Sequence, residues 1–412
     1  MKKILYLLAT YLMCCFLACK SESPDKETII PKEILPAESI ELTFMQRDKV
    51  NADNSFAFSM FKEVSALEKT PNTFFSPLSL NLALGMLFNG AMGDTRTEMA
   101  EVLGLADLTE TEINQFYQKM SQALLKIDPL TEIGIANSIW YRLGCPVKQP
   151  FIEINQQYFD AMVDELDFSR PDAAEIINRW CAKKTNNRIN DIIANPIDPD
   201  IVMYLINALY FKSKWKHPFE EKYTILEDFT TANSQKKKVK MMNQAATLPY
   251  YTDQKLQCVE LLYGNGAFSM VVILPAENTD INHLIEYLDN DIWRSIINQL
   301  YTQDIELKLP RFKVECELPL NNPVKNVGMT KIFDGGLWNI SDYSLCVSEI
   351  KQKTFVEVNE EGTEAAAVTV IGVDVMDTPS VPEQFYANRP FLYLIKEQST
   401  GAILFIGRVD EP

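Results

Sequence analysis

Helical and strand-like patterns are segregated along this chain, and that segregation constrains its fold more than any other feature. Residues 54–67 place Phe58, Phe61, Val64 and Ala66 near helical spacing, which predicts an amphipathic helix. Ser76-Pro77-Leu78-Ser79 predicts the start of a second helix, with serine as N-cap and proline in the first turn. The following stretch, 80–88, has almost no polar face and must be buried, and Gly90 and Gly93 mark its end. Further helical patterns cover 110–125, 153–162 and 172–186. Strand-like runs then dominate. Residues 133–141 and 202–211 are apolar enough for central strands. Residues 256–262 and 268–274 flank a Gly264-Asn265-Gly266 turn, 305–309 and 354–358 add two more, and 391–395 and 403–406 should pair across Ser399-Thr400-Gly401. Helices first and strands later imply an α+β domain with large antiparallel sheets, not a βαβ repeat. No linker divides residues 49–412, so they read as one domain.

The formal net charge of −17 comes with no obvious stripe of lysine and arginine, so nucleic acid is not an expected partner. The acidity fits a soluble protein in an exposed setting. Residues 1–18 read as a signal peptide: Lys2 and Lys3, then an apolar run over 4–17 that is too short for a membrane span. It ends in Leu17-Ala18-Cys19, which resembles the lipobox of bacterial lipoproteins, with Phe16 a mild departure from the usual aliphatic. That resemblance implies cleavage before Cys19 and lipid attachment to it, hence an exported protein of the bacterial cell envelope or surface that meets the membrane only through its anchor. Cys14 and Cys15 lack a small preceding residue and are poorer lipid sites. Residues 19–48 are charged and proline-containing and read as a flexible tether.

Catalytic chemistry is not legible. The remaining cysteines, Cys145, Cys181, Cys258, Cys316 and Cys346, are odd in number and widely spaced; no pair suggests zinc, and buried free thiols are expected. Of the two histidines, His217 lies in a turn-like Lys216-His217-Pro218 and His283 at a helix start. Neither sits in a nucleophile motif, and no GxSxG, HExxH or GxxxxGK[ST] sequence occurs. Neither a metal nor a cofactor is expected, and the chain does not read as an enzyme.

The informative segment is Glu360-Glu361-Gly362-Thr363-Glu364-Ala365-Ala366-Ala367-Val368-Thr369, which follows the strand Phe355-Val356-Glu357-Val358. Taken alone it fits a loop or an alanine-rich helix. It closely resembles the hinge of inhibitory serpins: two acidic residues, glycine, threonine, then small residues. Phe385-Tyr386-Ala387-Asn388-Arg389-Pro390-Phe391-Leu392-Tyr393-Leu394-Ile395 resembles that family's C-terminal signature. Asn72-Thr73-Phe74-Phe75-Ser76-Pro77-Leu78-Ser79 is similar to its shutter segment, and Asn178-Arg179-Trp180 with Thr185-Asn186-Asn187-Arg188-Ile189 to a characteristic helix. Asn207-Ala208-Leu209-Tyr210-Phe211-Lys212, with Trp215 and Pro218-Phe219, resembles the breach strand and its exit.

The resemblance implies a serpin fold of three β-sheets and about nine helices with an exposed reactive-centre loop. It also implies a monomeric, metastable inhibitor that traps a serine or cysteine protease covalently when its cleaved loop enters the main sheet. Alternation tests this independently. Thr363, Ala365, Ala367, Thr369, Ile371 and Val373 would share one buried face, all uncharged, while Glu364 and Asp374 fall on the other. Gly362 suits a hinge. The alternative is a non-inhibitory serpin acting as a binding or chaperone module, against which the small, proline-free hinge argues. Family spacing implies cleavage between Met376 and Asp377, and the methionine suits a chymotrypsin- or elastase-like pocket. Ser76, Pro77, Ser79, Asn207 and Trp215 map onto the shutter and breach. Gln352 stands where the family usually has histidine: it can donate and accept but not titrate.

Overall fold

The structure is a computed structural model, and it describes residues 36–67, 71–277, 279–363 and 382–412. Among these are nine α-helices: α1 Phe44–Ser65, α2 Pro77–Phe88, α3 Gly93–Val102, α4 Glu110–Leu124, α5 Gln149–Phe159, α6 Ala173–Lys184, α7 Ile281–Tyr287, α8 Asn290–Asn298 and α9 Asn321–Asn326. The strands are β1 Thr73–Phe75, β2 Glu132–Arg142, β3 Met162–Leu166, β4 Met203–Lys214, β5 Ile225–Thr230, β6 Lys236–Thr252, β7 Leu256–Leu262 and β8 Phe268–Pro275. They continue as β9 Tyr301–Pro310, β10 Phe312–Pro319, β11 Lys351–Asn359, β12 Gly362–Thr363, β13 Glu383–Tyr386, β14 Phe391–Glu397 and β15 Ile403–Val409.

One sheet runs β10-β11-β12-β4-β2-β3. The other runs β1-β15-β14-β8-β7-β6-β9-β13, with β5 on β6. The long strand β6 pairs with β9 through residues 241–250 and with β7 through 250–252. Two of the three sheets expected of the fold therefore join along this strand. As the sequence predicts, β14 and β15 pair antiparallel and β2 and β4 lie inside their sheet.

Helix α2 packs on both β4 and β15, one strand from each sheet. That position explains why it is apolar all round: Leu80, Leu82, Leu84, Met86, Leu87 and Phe88 are buried in the main core. Its N-terminus forms as the sequence implies, with Ser76 as N-cap accepting from Ser79 N at 3.2 Å and proline in the first turn. A second, smaller core lies on the outer face of β2 and β4, where Trp140 and Ile206 pack with Ile177 and Cys181 of α6.

Three expectations need correction. Helix α1 begins at Phe44, ten residues before the predicted start, because Thr43 and Gln46 form a capping box (Gln46 N to Thr43 Oγ1, 3.3 Å; Thr43 N to Gln46 Oε1, 3.1 Å). Ile40 and Leu42 are buried ahead of it, and Ile40 N donates to Ser399 Oγ at 2.9 Å. The boundary placed at residue 48 thus falls inside a helix, and residues 19–35 of the expected tether lie outside the described residues. Cationic side chains are also gathered in one place: Lys236, Lys237, Lys238 and Lys240 are all exposed at the start of β6. Finally, the thiols are not uniformly buried: none of the five forms a disulfide among the described residues, but Cys346 is exposed and Cys145 half-exposed.

Candidate functional site

Strand β12 is only two residues long, yet it pairs antiparallel with two others at once. Thr363 and Gly362 lie opposite Val358 and Asn359 of β11 and opposite Ser213 and Lys214 of β4. Beyond it, no ladder among the described residues joins β4 to β11: each has its other full ladder on the far side, to β2 and β10. Their facing edges carry the backbone donors and acceptors of a further strand position. Gly362 is required at the entrance. Its φ is +149°, and a Cβ there would stand 2.1 Å from Ser213 O. Thr363 is 1% exposed, and its hydroxyl lies 2.7 Å from that of Tyr263.

The chain just before this point is clamped by the segment leaving β4. Trp215 Nε1 donates to Asn359 O (2.9 Å), Trp215 N to Glu361 O (2.8 Å) and Phe219 N to Glu360 O (2.9 Å). Trp215 also stacks on Tyr263, with ring centroids 4.4 Å apart. Arg311 Nε lies 2.8 and 2.7 Å from the two Glu360 carboxylate oxygens, and Thr224 donates to the same carboxylate. Burial pushes the Glu360 carboxyl up, but the hydrogen bonds from Arg311 and Thr224 outweigh it and hold it below the usual range.

Deeper in the molecule Gln352 spans both polar groups at Ser76: Gln352 Oε1 accepts from Ser76 N (2.8 Å) and Gln352 Nε2 donates to Ser76 O (2.9 Å). Ser76 Oγ donates to Leu404 O at 2.8 Å, which ties α2 to the second sheet. Asn207 Nδ2 donates to Asn137 Oδ1 (2.7 Å), whereas Asn207 Oδ1 is buried with no partner among the described residues. A cavity of about 390 Å³ lies here, bordered by Ser79, Asn207 and Gln352.

The structure thus brings Ser76, Pro77, Ser79, Asn207 and Gln352 together at one level of the sheet, and Trp215, Glu360, Glu361, Gly362 and Thr363 at another. Glu364, Ala365, Ala366, Ala367, Met376, Asp377 and Cys19 lie outside the described residues. His217 and His283 are both exposed, as a turn and a helix start predict. Sequence reasoning missed Tyr263, Arg311 and Ser213. Each looks ordinary in sequence and gains its role only through a contact made by distant chain.

The family model described as serpin (serine protease inhibitor) matches residues 51–412. Iripin-3 of Ixodes ricinus is 35% identical over 348 residues, covering 82% of this chain and 88% of its own. Serpin B8 of Homo sapiens is 33% identical over 376 residues, 89% of this chain and 100% of its own. The native-state crystal structure of the thermophilic serpin tengpin superposes with a TM-score of 0.82 at 30% identity, over 92% of this chain and 98% of that one.

Proposed function

The chain belongs to the serpin family, and from that premise we propose that it is a suicide-substrate inhibitor whose cleaved loop enters the slot between β4 and β11. Serpins are mostly protease inhibitors, not catalysts. One observation carries the reading: β12 is already seated in that slot as the antiparallel partner of both walls.

Continuing its register gives the inserted state in detail. Each residue forward along the loop moves one residue back along β4 and β11. Ala365 would lie between Phe211 and Val356, Ala367 between Leu209 and Thr354, and Thr369 between Asn207 and Gln352. Ile371 and Val373 would reach Leu205 and Met203, where β4 begins. These residues share the face of Thr363 and Ser213, both buried. Thr369 would meet the unpartnered Asn207 Oδ1. The opposite face is not simply solvent: Ile206, Ala208 and Tyr210 are buried there. Val370, Val368 and Ala366 would oppose them, while Glu364 would fall opposite Lys212.

In the proposed reaction the protease nucleophile attacks the Met376 carbonyl. The amide to Asp377 breaks, the amine leaves with a proton, and an acyl-enzyme remains on Met376. Loop insertion then outruns hydrolysis of that bond and carries the protease to the far end of the sheet. The methionine favours chymotrypsin- or elastase-like enzymes. Incubation with a panel of serine and cysteine proteases should give a complex stable in SDS. Clean cleavage without any complex, for every enzyme, would favour the non-inhibitory alternative.

We also propose that the protein is exported and held to the cell envelope by lipid on Cys19. Support comes from Ala18-Cys19 closing the apolar run and from the stability that several acyl chains give an anchor. Cys19→Ser should release the protein from the membrane fraction or leave it unprocessed. A normally processed variant that stays membrane-bound would exclude this anchor.

A further inference from the structure

Protein interiors leave few voids larger than a water molecule, so the cavity of about 390 Å³ at the slot is costly unless something fills it. It lies where the two cores stop short of each other. Leu80 and Leu84 of α2, from the main core, wall it on one side of the sheet, and Ile192 and Ile193, from the smaller core, wall it on the other. Between them run the two edges that share no ladder, residues 200–208 on one flank and 344–353 on the other. Nine residues of extended chain cover roughly 25 Å, so the cavity is elongated.

Its two ends differ. At the outer end Asp200, Ser344, Cys346 and Glu349 are exposed, and the cavity opens to solvent there. At the inner end Ser79 and Gln352 are buried and their polar groups are taken: Gln352 by the backbone of Ser76, and Ser79 Oγ by Asn207 O at 3.5 Å. Asn207 Oδ1 is the exception. Of the buried side-chain polar atoms on the lining residues, it alone has no partner among the described residues. An orphaned acceptor of this kind costs free energy until a donor reaches it. Water is a poor fit, because a buried water takes about two to four polar partners and the walls are mostly aliphatic. One hydroxyl on a linear aliphatic body matches both parts: the donor inside on Asn207, the chain along the leucines and isoleucines toward the mouth. The volume is in the usual range of a small-molecule site.

We propose that the slot is a binding site for an uncharged single-chain amphiphile of the long-chain alcohol class, whose hydroxyl donates to Asn207 Oδ1 and whose chain lies between α2 and residues 189–193. Its consequence for inhibition rests on the inhibitory reading above. The bound chain takes the places that the register gives to Thr369, Ile371 and Val373, so an occupied site stops insertion part-way. Water then breaks the ester on Met376, leaving a carboxylate there and the protease nucleophile protonated and free. The inhibitor is spent as a substrate.

The test titrates the intact full chain calorimetrically with 1-decanol and with its isomer 1-methoxynonane, which has no donor. Decanol should bind about tenfold more tightly, as expected when a donor reaches a buried orphaned acceptor. Ala83 is half-buried and lines the cavity, so Ala83→Phe fills space without removing a core side chain. That variant, shown to be folded by its melting temperature, should bind decanol at least about tenfold more weakly. Protein cut in its loop, and shown by a raised melting temperature to have inserted it, should not bind. With a protease that the wild type traps, saturating decanol should lower the yield of covalent complex and raise that of free cleaved inhibitor. Failure of decanol to bind, equal binding of the ether, or undiminished binding by folded Ala83→Phe or by the inserted form would each overturn the site. Decanol bound with no loss of complex would overturn its coupling to insertion. Decanol bound as expected, with no protease trapped under any condition, would remove the inhibitory reading and leave the site standing.

Discussion

At the scale of single residues, Gln352 shows how one side chain can hold two layers together. It satisfies both the N–H and the C=O of Ser76, at the buried junction where α2 begins. Gln352→Ala would leave the buried Ser76 N–H without its partner, at about 1–3 kcal/mol, while Ser76 O would keep only its bond from Leu80 N. The intact variant should melt several degrees lower, as measured by circular dichroism. Because glutamine does not titrate, wild type should show no stability step between pH 5 and 7 from this position. Gln352→His should introduce one. Thr363 is the complementary case: it is 1% exposed and in contact with Tyr263. Thr363→Arg would bury an unpaired charge at a cost of several kcal/mol. That variant should be cut at the same bond as wild type yet trap little protease. Covalent complex at wild-type yield would show the register to be wrong.

At the scale of elements, β12 matters through its register rather than its length. A one-residue slip would turn Glu364 toward the buried face and cost far more than a slip in a polar strand. The same register sets how far a strand can extend. Strand β4 spans Met203–Lys214, and in the proposed inserted state the residues opposite it would run from Gly362 to Val373. Met376 would fall just past that end, so an inserted loop would carry its acylated residue to the edge of the sheet. Mass spectrometry after protease treatment should find a released C-terminal fragment that begins at Asp377. A fragment beginning at Met376 or Thr378 would move the assigned bond by one residue and leave the fold untouched. Other elements were hard to foresee. Helix α3 buries only Thr95 and Met99, so its apolar period is weak. Strand β6 opens with exposed lysines and passes through an exposed Ala245 and a half-buried Ala246, which hides its alternation.

At the scale of the whole molecule, the facing edges of β4 and β11 beyond β12 share no ladder among the described residues. Filling the slot between them with residues 363–373 would add on the order of ten backbone hydrogen bonds, each contributing about 1 kcal/mol net. It would also bury Ile371 and Val373. The protein cut in its loop should therefore melt more than about 10 °C above the intact protein. Differential scanning calorimetry before and after limited proteolysis checks this, and identical melting temperatures would exclude insertion.

The sequence by itself determined the local features of this protein: the cap at Ser76, the buried α2, the hairpin of β14 and β15, and the small-residue hinge. Each is set by neighbours within a few residues, through capping, periodicity and turn chemistry. It also carried the family, because those segments recur together and in order. Only the tertiary structure decided which long-range partners close the site. Tyr263 meets Thr363 across 100 positions, and Arg311 reaches Glu360 across 49. Likewise, Ile40 and Leu42 become core only because α1 and Ser399 lie beside them. Such contacts depend on how sheets and helices pack in three dimensions, and no local pattern along the chain encodes them.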